Sequence, residues 1–440
     1  MTSRTAPVAP PTPLARNRDF RLLWLGEGVS VLGNSTTSVL LPLLAVVGFH
    51  AGPGWMGALT ALAWLPWLLV GLPAGAWVDR MPPRRVMLAS DLVAAATLTS
   101  VPVAWAAGVL TLPHLAVAAF GNGVCTVFFR AAYPGLVRQV AAPEQQEQAF
   151  ARLFGTESAM QVVGPGVGGL LAQLASAAWG LLADAVSFLV SAFCLWRLRL
   201  EPVDRTAEQV RGRERDPGPG AGQGPDDAAC PDGALWSRIR EGVDYIRRDR
   251  LLRYFTVVGG VSNFGLTGYS ALLVLFLVRE VHLGEGAVGA VMAVGAVGGV
   301  LGAGIATRVS RLFGSARALM VLQLLAGPPA LLVPLGRAGA GVVATVVGML
   351  LVGVGVVAGN IIRGAWRNRY VPADMVARQV TSAQVVNLGT MPLAGVAAGW
   401  LGSSLGLRPT MLVMAGVHVL ACASMWWSPI RRLRDLPRPV

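Results

Sequence analysis

Long apolar stretches separated by short polar turns dominate this chain. A helix that crosses a membrane needs about 20 largely apolar residues. Stretches of that length occupy residues 21–47, 54–78, 86–107, 112–133, 150–174, 178–198, 251–278, 286–307, 316–336, 339–361, 379–403 and 409–427. The pattern therefore predicts an all-α integral membrane protein with twelve transmembrane helices. Gly and Pro inside these stretches are compatible with this prediction, because neighbouring membrane helices satisfy the freed backbone groups.

Composition supports a membrane protein over a soluble one. Of the 440 residues, 54% are hydrophobic and 13% are charged, whereas an average soluble domain has roughly 25% charged residues. All 36 basic residues are arginines. Their number alone, with a net charge of +13, would be compatible with nucleic-acid binding, so their distribution decides the interpretation.

The arginines are concentrated on one side of the predicted membrane. If the N-terminus is inside, the outer loops contain only Arg279, Arg337 and Arg408. Positive charge is retained on the cytoplasmic side of membrane proteins. We therefore expect a multi-pass protein of the cell membrane with both termini in the cytoplasm. The basic groups would face anionic lipid headgroups, and we expect no nucleic-acid partner.

A polar segment divides the predicted helices into two groups of six. Residues 1–20 form an N-terminal arm, 21–198 the first bundle, 199–250 a cytoplasmic loop, 251–427 the second bundle and 428–440 a tail. Within the loop, apolar residues at helical spacing from 235 to 250 predict an amphipathic helix at the membrane surface. A plain linker helix is the alternative.

The two bundles are related by an internal repeat. Gly71 and the pair Asp79-Arg80 have counterparts at Gly299 and Thr307-Arg308, at the same spacing along the chain. Pro143 and Pro165 have counterparts at Pro372 and Pro392 at nearly that spacing. Duplication of a six-helix unit explains these matches and predicts two pseudo-symmetric halves.

The turn after the second apolar stretch carries the most specific motif. Gly71 and Gly75 are four residues apart on one helix face, which allows close approach of a neighbouring helix. The motif residues are Gly71, Gly75, Asp79, Arg80, Arg84 and Arg85. The turn resembles the loop between the second and third helices of the major facilitator superfamily, with Pro82 in place of a glycine. The resemblance implies the major facilitator fold and a latch between helices at the inner face.

Two further stretches bear on this resemblance. Gly164, Pro165, Gly168 and Gly169 resemble the core of the facilitator antiporter motif, which implies a pliable interface between the halves. Ordinary packing of small residues is the alternative. The fourth stretch has Val117 where proton-coupled members carry an arginine. Arg130, thirteen residues later, is interpreted as a loop anchor.

Carboxyl groups inside the apolar stretches are the candidate proton-coupling residues. A charge at the bilayer centre costs about 2.5–3.5 kcal/mol on insertion scales, so such residues are functional candidates. They are Glu27, Glu157 and Asp184, with Glu27 leading because the first helix lines the central cavity in the family. A structural hydrogen bond or ion pair is the alternative for Glu27. We expect Glu157 to pair with Arg152, and Asp91 to support the region of Arg80 and Arg84.

Neutral polar residues within the stretches are candidates for lining a cargo cavity. They are Asn34, Asn122, Gln161, Asn263, Tyr269, Gln384 and Asn387. A mostly apolar cavity with sparse polar groups suits an amphipathic ligand. The four cysteines have neither zinc-site nor disulfide spacing, and no phosphate-binding GxxxxGK[ST] loop occurs. We expect no metal, no cofactor and no enzymatic activity.

Three stretches are similar to the branch of the superfamily that holds macrolide-efflux and siderophore-exporter-like proteins. They are NRDFRLLWLGEGVSVLGN, DAVSFLVSAF and IREGVDYIRRDRLLR. The resemblance implies a monomeric secondary transporter that exports a drug, antibiotic or natural product by proton antiport. Its partners would be the small amphipathic substrate, protons and membrane lipids. An importer or lipid flippase on the same fold, and a non-transporting membrane sensor or scaffold, are the alternatives.

Overall fold

The computed structural model describes residues 14–78, 80–199, 232–428 and 430–437. The first half contains α1 (Arg18–Leu43), α2 (Pro53–Leu69), α3 (Gly71–Val78), α4 (Pro83–Ala106), α5 (Leu112–Val140), α6 (Gln146–Ala175) and α7 (Ala177–Arg197). The second half contains α8 (Asp232–Arg248), α9 (Arg250–Arg279), α10 (Glu285–Phe313), α11 (Ser315–Ala326), α12 (Val342–Tyr370), α13 (Ala373–Leu405) and α14 (Leu407–Ala423). The described residues form no strand, which confirms the all-α class. Most of the predicted N-terminal arm, Asp79 and most of the central loop lie outside the described residues.

Within the described residues, ten helices are long and apolar enough to cross a membrane, against the twelve predicted. The predicted span 54–78 is divided into α2 and α3. Pro73 explains the break, because it lacks the N–H that would bond to Leu69 and its ring collides with that carbonyl. The predicted span 150–174 lies in α6, whose 30 residues include Glu147, Arg152 and Glu157. α6 packs against α1 and α10 inside the bundle.

Each half begins with a side-chain cap on its first long helix. Asn17 Oδ1 accepts hydrogen bonds from the backbone N–H groups of Asp19 and Phe20, at 3.0 and 3.1 Å. Asp249 Oδ1 accepts from Leu251 and Leu252, both at 2.8 Å. Such caps satisfy N–H groups that have no partner within the helix. The start of α1 and the start of α9 are therefore equivalent positions in the two halves.

The hydrophobic core shows how the halves meet. At the end of the bundle remote from both termini, one cluster combines residues of the first half, such as Leu44 and Met56, with Leu272 and Phe276 of the second. Near the termini each half has a cluster of its own, one around Phe20 and one around Leu319. The described halves thus share a core at the far end and pack separately near the termini.

Two glycine contacts bring the halves together at the far end. A Cβ added at Gly57 of α2 would lie 2.3 Å from the Gly395 carbonyl oxygen and 2.6 Å from Gly399 Cα, both on α13. A Cβ at Gly169 of α6 would lie 2.7 Å from Gly289 Cα on α10. Only glycine permits backbones to approach this closely. We call these two contacts the glycine seams.

The predicted amphipathic helix is α8. Arg378 Nη1 of α13 donates to Glu241 Oε2 at 2.9 Å, and Gly242 lies against the backbone of Arg378. Ile246 is buried in the core cluster around Leu319, whereas Arg247 and Arg248 are exposed. α8 therefore docks on α13, the same helix that forms a glycine seam at its other end.

Candidate functional site

A small cavity of about 80 Å³ lies within the first half. It is formed by α1, α4, α5, α6 and α7, and the first four of these contribute polar residues to an otherwise apolar bundle. Glu27, Val31 and Asn34 of α1 line it, and their spacing places them on one helix face. Asp91 from α4 and Arg130 from α5 line it as well. The cavity therefore brings together charged residues from three separate apolar stretches.

Arg130 and Glu157 form an ion pair in this region. Arg130 Nη1 donates to Glu157 Oε2 at 3.2 Å, and Nη2 donates to Oε1. Gln161 Nε2 donates to Glu157 Oε1 at 3.3 Å. The expectation that Glu157 pairs with Arg152 is wrong, because the rotation of α5 and α6 points Arg130 at this carboxylate. Arg130 is correspondingly a residue of the cavity and not a loop anchor.

Asp91 also lies elsewhere than expected. It is 1% exposed and it lines the cavity. Arg84, which we expected Asp91 to support, donates instead to the carbonyls of Leu195 and Trp196 at the end of α7, at 2.8 and 2.5 Å. Asp91 carries the same sequence signal as Glu27, a carboxyl group inside an apolar stretch.

Glu27 faces the cavity with 5% of its surface exposed. Its Oε2 atom is buried and has no hydrogen-bond partner within the described residues. The same holds for Asp91 Oδ2. Buried polar atoms in proteins nearly always have a partner. Two carboxyl oxygens in one cavity are thus positioned to accept a proton or a positively charged group.

Asp184 occupies a different place, between α1 and α7. Thr37 donates to its Oδ2 at 2.5 Å, and the Ser187 hydroxyl lies 2.9 Å from its Oδ1. A Cβ added at Gly33 would lie 2.1 Å from Asp184 Oδ1, so the glycine makes room for the carboxyl group. This hydrogen-bonded contact favours a role in joining the two helices.

The neutral candidates are distributed over several environments. Asn34 and Gln161 line the cavity, and Asn122 Nδ2 donates to Asn34 Oδ1 at 3.3 Å. Tyr269 is buried in the core that the two halves share. The remaining three lie in the second half, with Gln384 exposed and Asn263 and Asn387 half-buried. The structure thus places three of the seven at or beside the cavity.

The antiporter-like motif is divided between two interfaces. Gly164 and Gly168 face α1, where added Cβ atoms would lie 2.3 Å from Ser35 Cβ and 2.9 Å from the Thr36 carbonyl oxygen. Gly169 faces α10 across the glycine seam, and the carbonyl of Pro165 lies against Gly289. One motif therefore joins α6 both to its own half and to the other half.

The turn motif is less closely packed than expected. None of the residues that the structure describes lies within 4 Å of a Cβ added at Gly71 or Gly75, so the close helix approach that these glycines allow is not made in this conformation. The physical reason is that the halves share their core at the other end of the bundle. Arg80 and Arg85 are exposed, while Arg84 is tied to the end of α7. Asp79 lies outside the described residues.

We expect Arg130→Met to lower thermal stability more than the double variant Arg130→Met/Glu157→Gln. Removing one partner of a buried pair costs about 3–5 kcal/mol because the remaining charge is uncompensated. The loss here is smaller, since the Arg130 side chain is 34% exposed. Melting curves of the detergent-purified proteins measure this loss of stability. Equal melting temperatures for the single and double variants would contradict this account of the pair.

Comparison with known proteins decides the family. The family model described as Major Facilitator Superfamily matches residues 23–387. The chain belongs to this superfamily. It is accordingly a multi-pass membrane transporter and not an enzyme.

Among curated proteins, the chain is 28% identical over 239 residues to the multidrug efflux pump Tap of Mycolicibacterium fortuitum. That match covers 52% of this chain and 53% of the pump, so the chain spans about half the length of this relative.

Solved transporter structures share the fold. The nucleoside transporter NupG superimposes with a TM-score of 0.73 at 14% identity, covering 94% of this chain and 99% of NupG. A bacterial homologue of the iron transporter ferroportin, in an inward-facing state, superimposes with a TM-score of 0.68 at 17% identity. The match covers 93% of this chain and 98% of the homologue. These similarities establish the two-bundle facilitator fold over nearly the whole chain.

Proposed function

We propose that this facilitator exports an amphipathic small molecule from the cytoplasm in exchange for protons. The observation that carries the proposal is the pair of carboxyl groups, Glu27 and Asp91, buried in one cavity beside an ion pair that is already neutral. Burial disfavours the charged form of a carboxyl group. A proton that binds there from one side and leaves to the other couples cargo movement to the proton gradient.

The arrangement of the halves supports alternating access. The shared core and both glycine seams lie remote from the termini. Arg279 Nη2, at the end of α9, adds hydrogen bonds across the halves to the carbonyls of His50 and Ala51, at 2.7 and 3.0 Å. With both termini in the cytoplasm, as the arginine distribution predicts, this is the state that receives cargo from the cytoplasm.

The direction of transport is proposed from the efflux relative, and the proton gradient would supply the energy. A multidrug efflux pump matches about half of the chain. One proton entering across about 100 mV supplies about 2.3 kcal/mol, enough for roughly a fifty-fold gradient of a neutral cargo. No nucleotide is needed for such a gradient.

Accumulation of a fluorescent dye in whole cells tests the direction. Cells that express the protein should accumulate less ethidium than cells with an empty vector, and a protonophore should remove the difference. An importer would raise accumulation instead. A sensor or scaffold without transport activity would leave it unchanged, and either result would contradict the proposal.

A further inference from the structure

The chain that follows the last helix folds back onto the second half. Residues 430–437 lie against the start of α11 and the end of α12. Ile430 is fully buried and Leu436 is 5% exposed, and both belong to the core cluster around Leu319. We call residues 430–437 the tail strap. Its buried apolar side chains make it a packed part of the second half.

The tail strap bonds to the free N–H groups at the start of α11. The first N–H groups of a helix have no partner within that helix. Asp435 Oδ1 accepts a hydrogen bond from the N–H of Ser315 at 2.8 Å. The carbonyl of Arg434 accepts from the N–H groups of Ala316 and Arg317, at 3.1 and 3.4 Å. The strap therefore serves as the N-terminal cap of α11.

The turn before α11 is shaped to hold the strap. Gly314 has a φ of +82°, and a Cβ added there would lie 2.4 Å from the Arg434 carbonyl oxygen. Only glycine meets both requirements without strain. The Ser315 hydroxyl accepts from the N–H of Leu436 at 2.8 Å and lies 3.3 Å from Asp435 Oδ1. Backbone and side chain at this turn thus both fit the strap.

The strap also reaches the end of α12. Trp366 Nε1 donates to the Pro437 carbonyl at 2.9 Å. The Trp366 ring stacks on Tyr370, with 4.6 Å between the ring centroids, and the Tyr370 hydroxyl donates to Asp249 Oδ2 at 2.8 Å. Asp249 caps α9. The strap therefore joins the start of α11 to the end of α12 and, through the aromatic pair, to the start of α9.

The first half ties the corresponding helices together without a tail. The third predicted span of that half, in α4, is bonded to the end of its last span through Arg84, which donates to the carbonyls of Leu195 and Trp196. Asn17, the cap of α1, donates through Nδ2 to the Val140 carbonyl at the end of α5, at 3.0 Å, just as the cap of α9 is tied to the end of α12. Both halves thus join the same pairs of helices at this end.

The arginine that makes this tie in the first half has no counterpart in the second. At the spacing of 228 residues that relates Gly71 to Gly299, Leu312 and Phe313 stand where the first half has Arg84 and Arg85. The start of α11 is held instead by the chain that follows the last span. The loss of the arginines and the docking of the tail therefore occur at one and the same position of the repeat.

We propose that the tail strap replaces the turn-motif arginine in the second half and holds α9, α11 and α12 together as one rigid unit. Alternating access moves one half as a body against the other. A half whose helices are loose at this end deforms under that motion and transmits less of it. The strap thus adapts the second half for rocking, whichever cargo and coupling ion the transporter uses.

Hydrogen exchange of the full-length protein in detergent tests the proposal and requires no cargo. Asp435→Ala should raise amide exchange in the first turn of α11 by roughly fivefold, the usual effect of losing a helix cap. Exchange at the end of α12 should rise as well, because the strap bridges the two helices. Asp435→Asn keeps an oxygen that accepts the N–H bond and should restore most of the protection. Arg432→Ala is the matched control, since its side chain is exposed on the same strap, and it should leave exchange unchanged.

Trp366→Phe tests the bridge from its other end. It removes the N–H donor but keeps an aromatic ring, and it should raise exchange in the first turn of α11. A rise confined to α11 in Asp435→Ala would indicate a local cap and would overturn the strap, as would unchanged exchange at both helices. Exchange at the start of α4 should stay unchanged in every variant, because a rise there would indicate general destabilisation and would contradict the proposal. None of these results depends on whether the protein exports cargo in exchange for protons.

Discussion

Glu27→Gln is expected to abolish proton-driven transport while exchange of cargo across the membrane continues. Glutamine retains the shape and polarity of the side chain but cannot bind and release a proton. The proton gradient then cannot drive transport, because α1 has no carboxyl group at this position to bind and release the proton. In proteoliposomes, concentrative uptake driven by a pH difference should fall to the level of liposomes without protein. Counterflow of labelled against unlabelled cargo, at cargo concentrations high enough to offset weaker binding, should persist.

Glu27→Asp provides the matched control for this prediction. It keeps a carboxyl group on the same face of α1 and should retain part of the concentrative uptake. Full uptake by Glu27→Gln would reject Glu27 as the proton site. Asp91 in the same cavity would then be the next candidate for that site. Loss of both uptake and counterflow would show that Glu27 is required for cargo binding, and would contradict the expected separation of the two activities.

Gly169→Ala is expected to reduce transport by weakening the glycine seam between α6 and α10. The new Cβ would lie 2.7 Å from Gly289 Cα and 2.8 Å from the Glu285 carbonyl oxygen. Both are backbone atoms, so the helices themselves must move apart. Overpacking of this kind costs about 1–3 kcal/mol, which shifts a two-state equilibrium by about 5- to 150-fold. The rate of transport and the distance between spin labels at the far ends of α6 and α10 measure the effect.

Gly166→Ala is the control on the same helix. Its Cβ would lie 3.5 Å from Ala293 Cβ, an ordinary van der Waals contact, so transport and label distance should stay near those of the wild type. Equal impairment of the two variants would show that the glycines act through helix flexibility and not through close contact between the halves.

Most of the helices were predictable from the sequence because hydrophobic length is a local signal. Where local signals conflicted, the boundaries were less certain. Pro73 interrupts the second predicted span, and Glu147, Arg152 and Glu157 make α6 more polar than a typical span. Both segments nevertheless pack in the bundle, because helix–helix contacts within the protein accommodate what lipid would not.

The arrangement of the charged groups was only partly predictable. Glu27 was identifiable as a carboxyl group inside an apolar stretch, and the same signal applied to Asp91. Which groups meet depends on the rotation of each helix about its axis, and the sequence of one helix does not determine this. Arg130 therefore pairs with Glu157 from the neighbouring helix. The open space beside Gly71 and Gly75 likewise depends on which end of the bundle is closed.

Uptake into proteoliposomes with an acidic interior tests the central claim, proton-driven export, most directly. Ethidium is suitable because its permanent charge prevents trapping by protonation. For molecules whose cytoplasmic face points outward, we expect ethidium to accumulate against its gradient when the pH difference is imposed, to stop when a protonophore collapses it, and to acidify the outer medium. Accumulation that is independent of the pH difference, or movement of ethidium and protons in the same direction, would contradict the account.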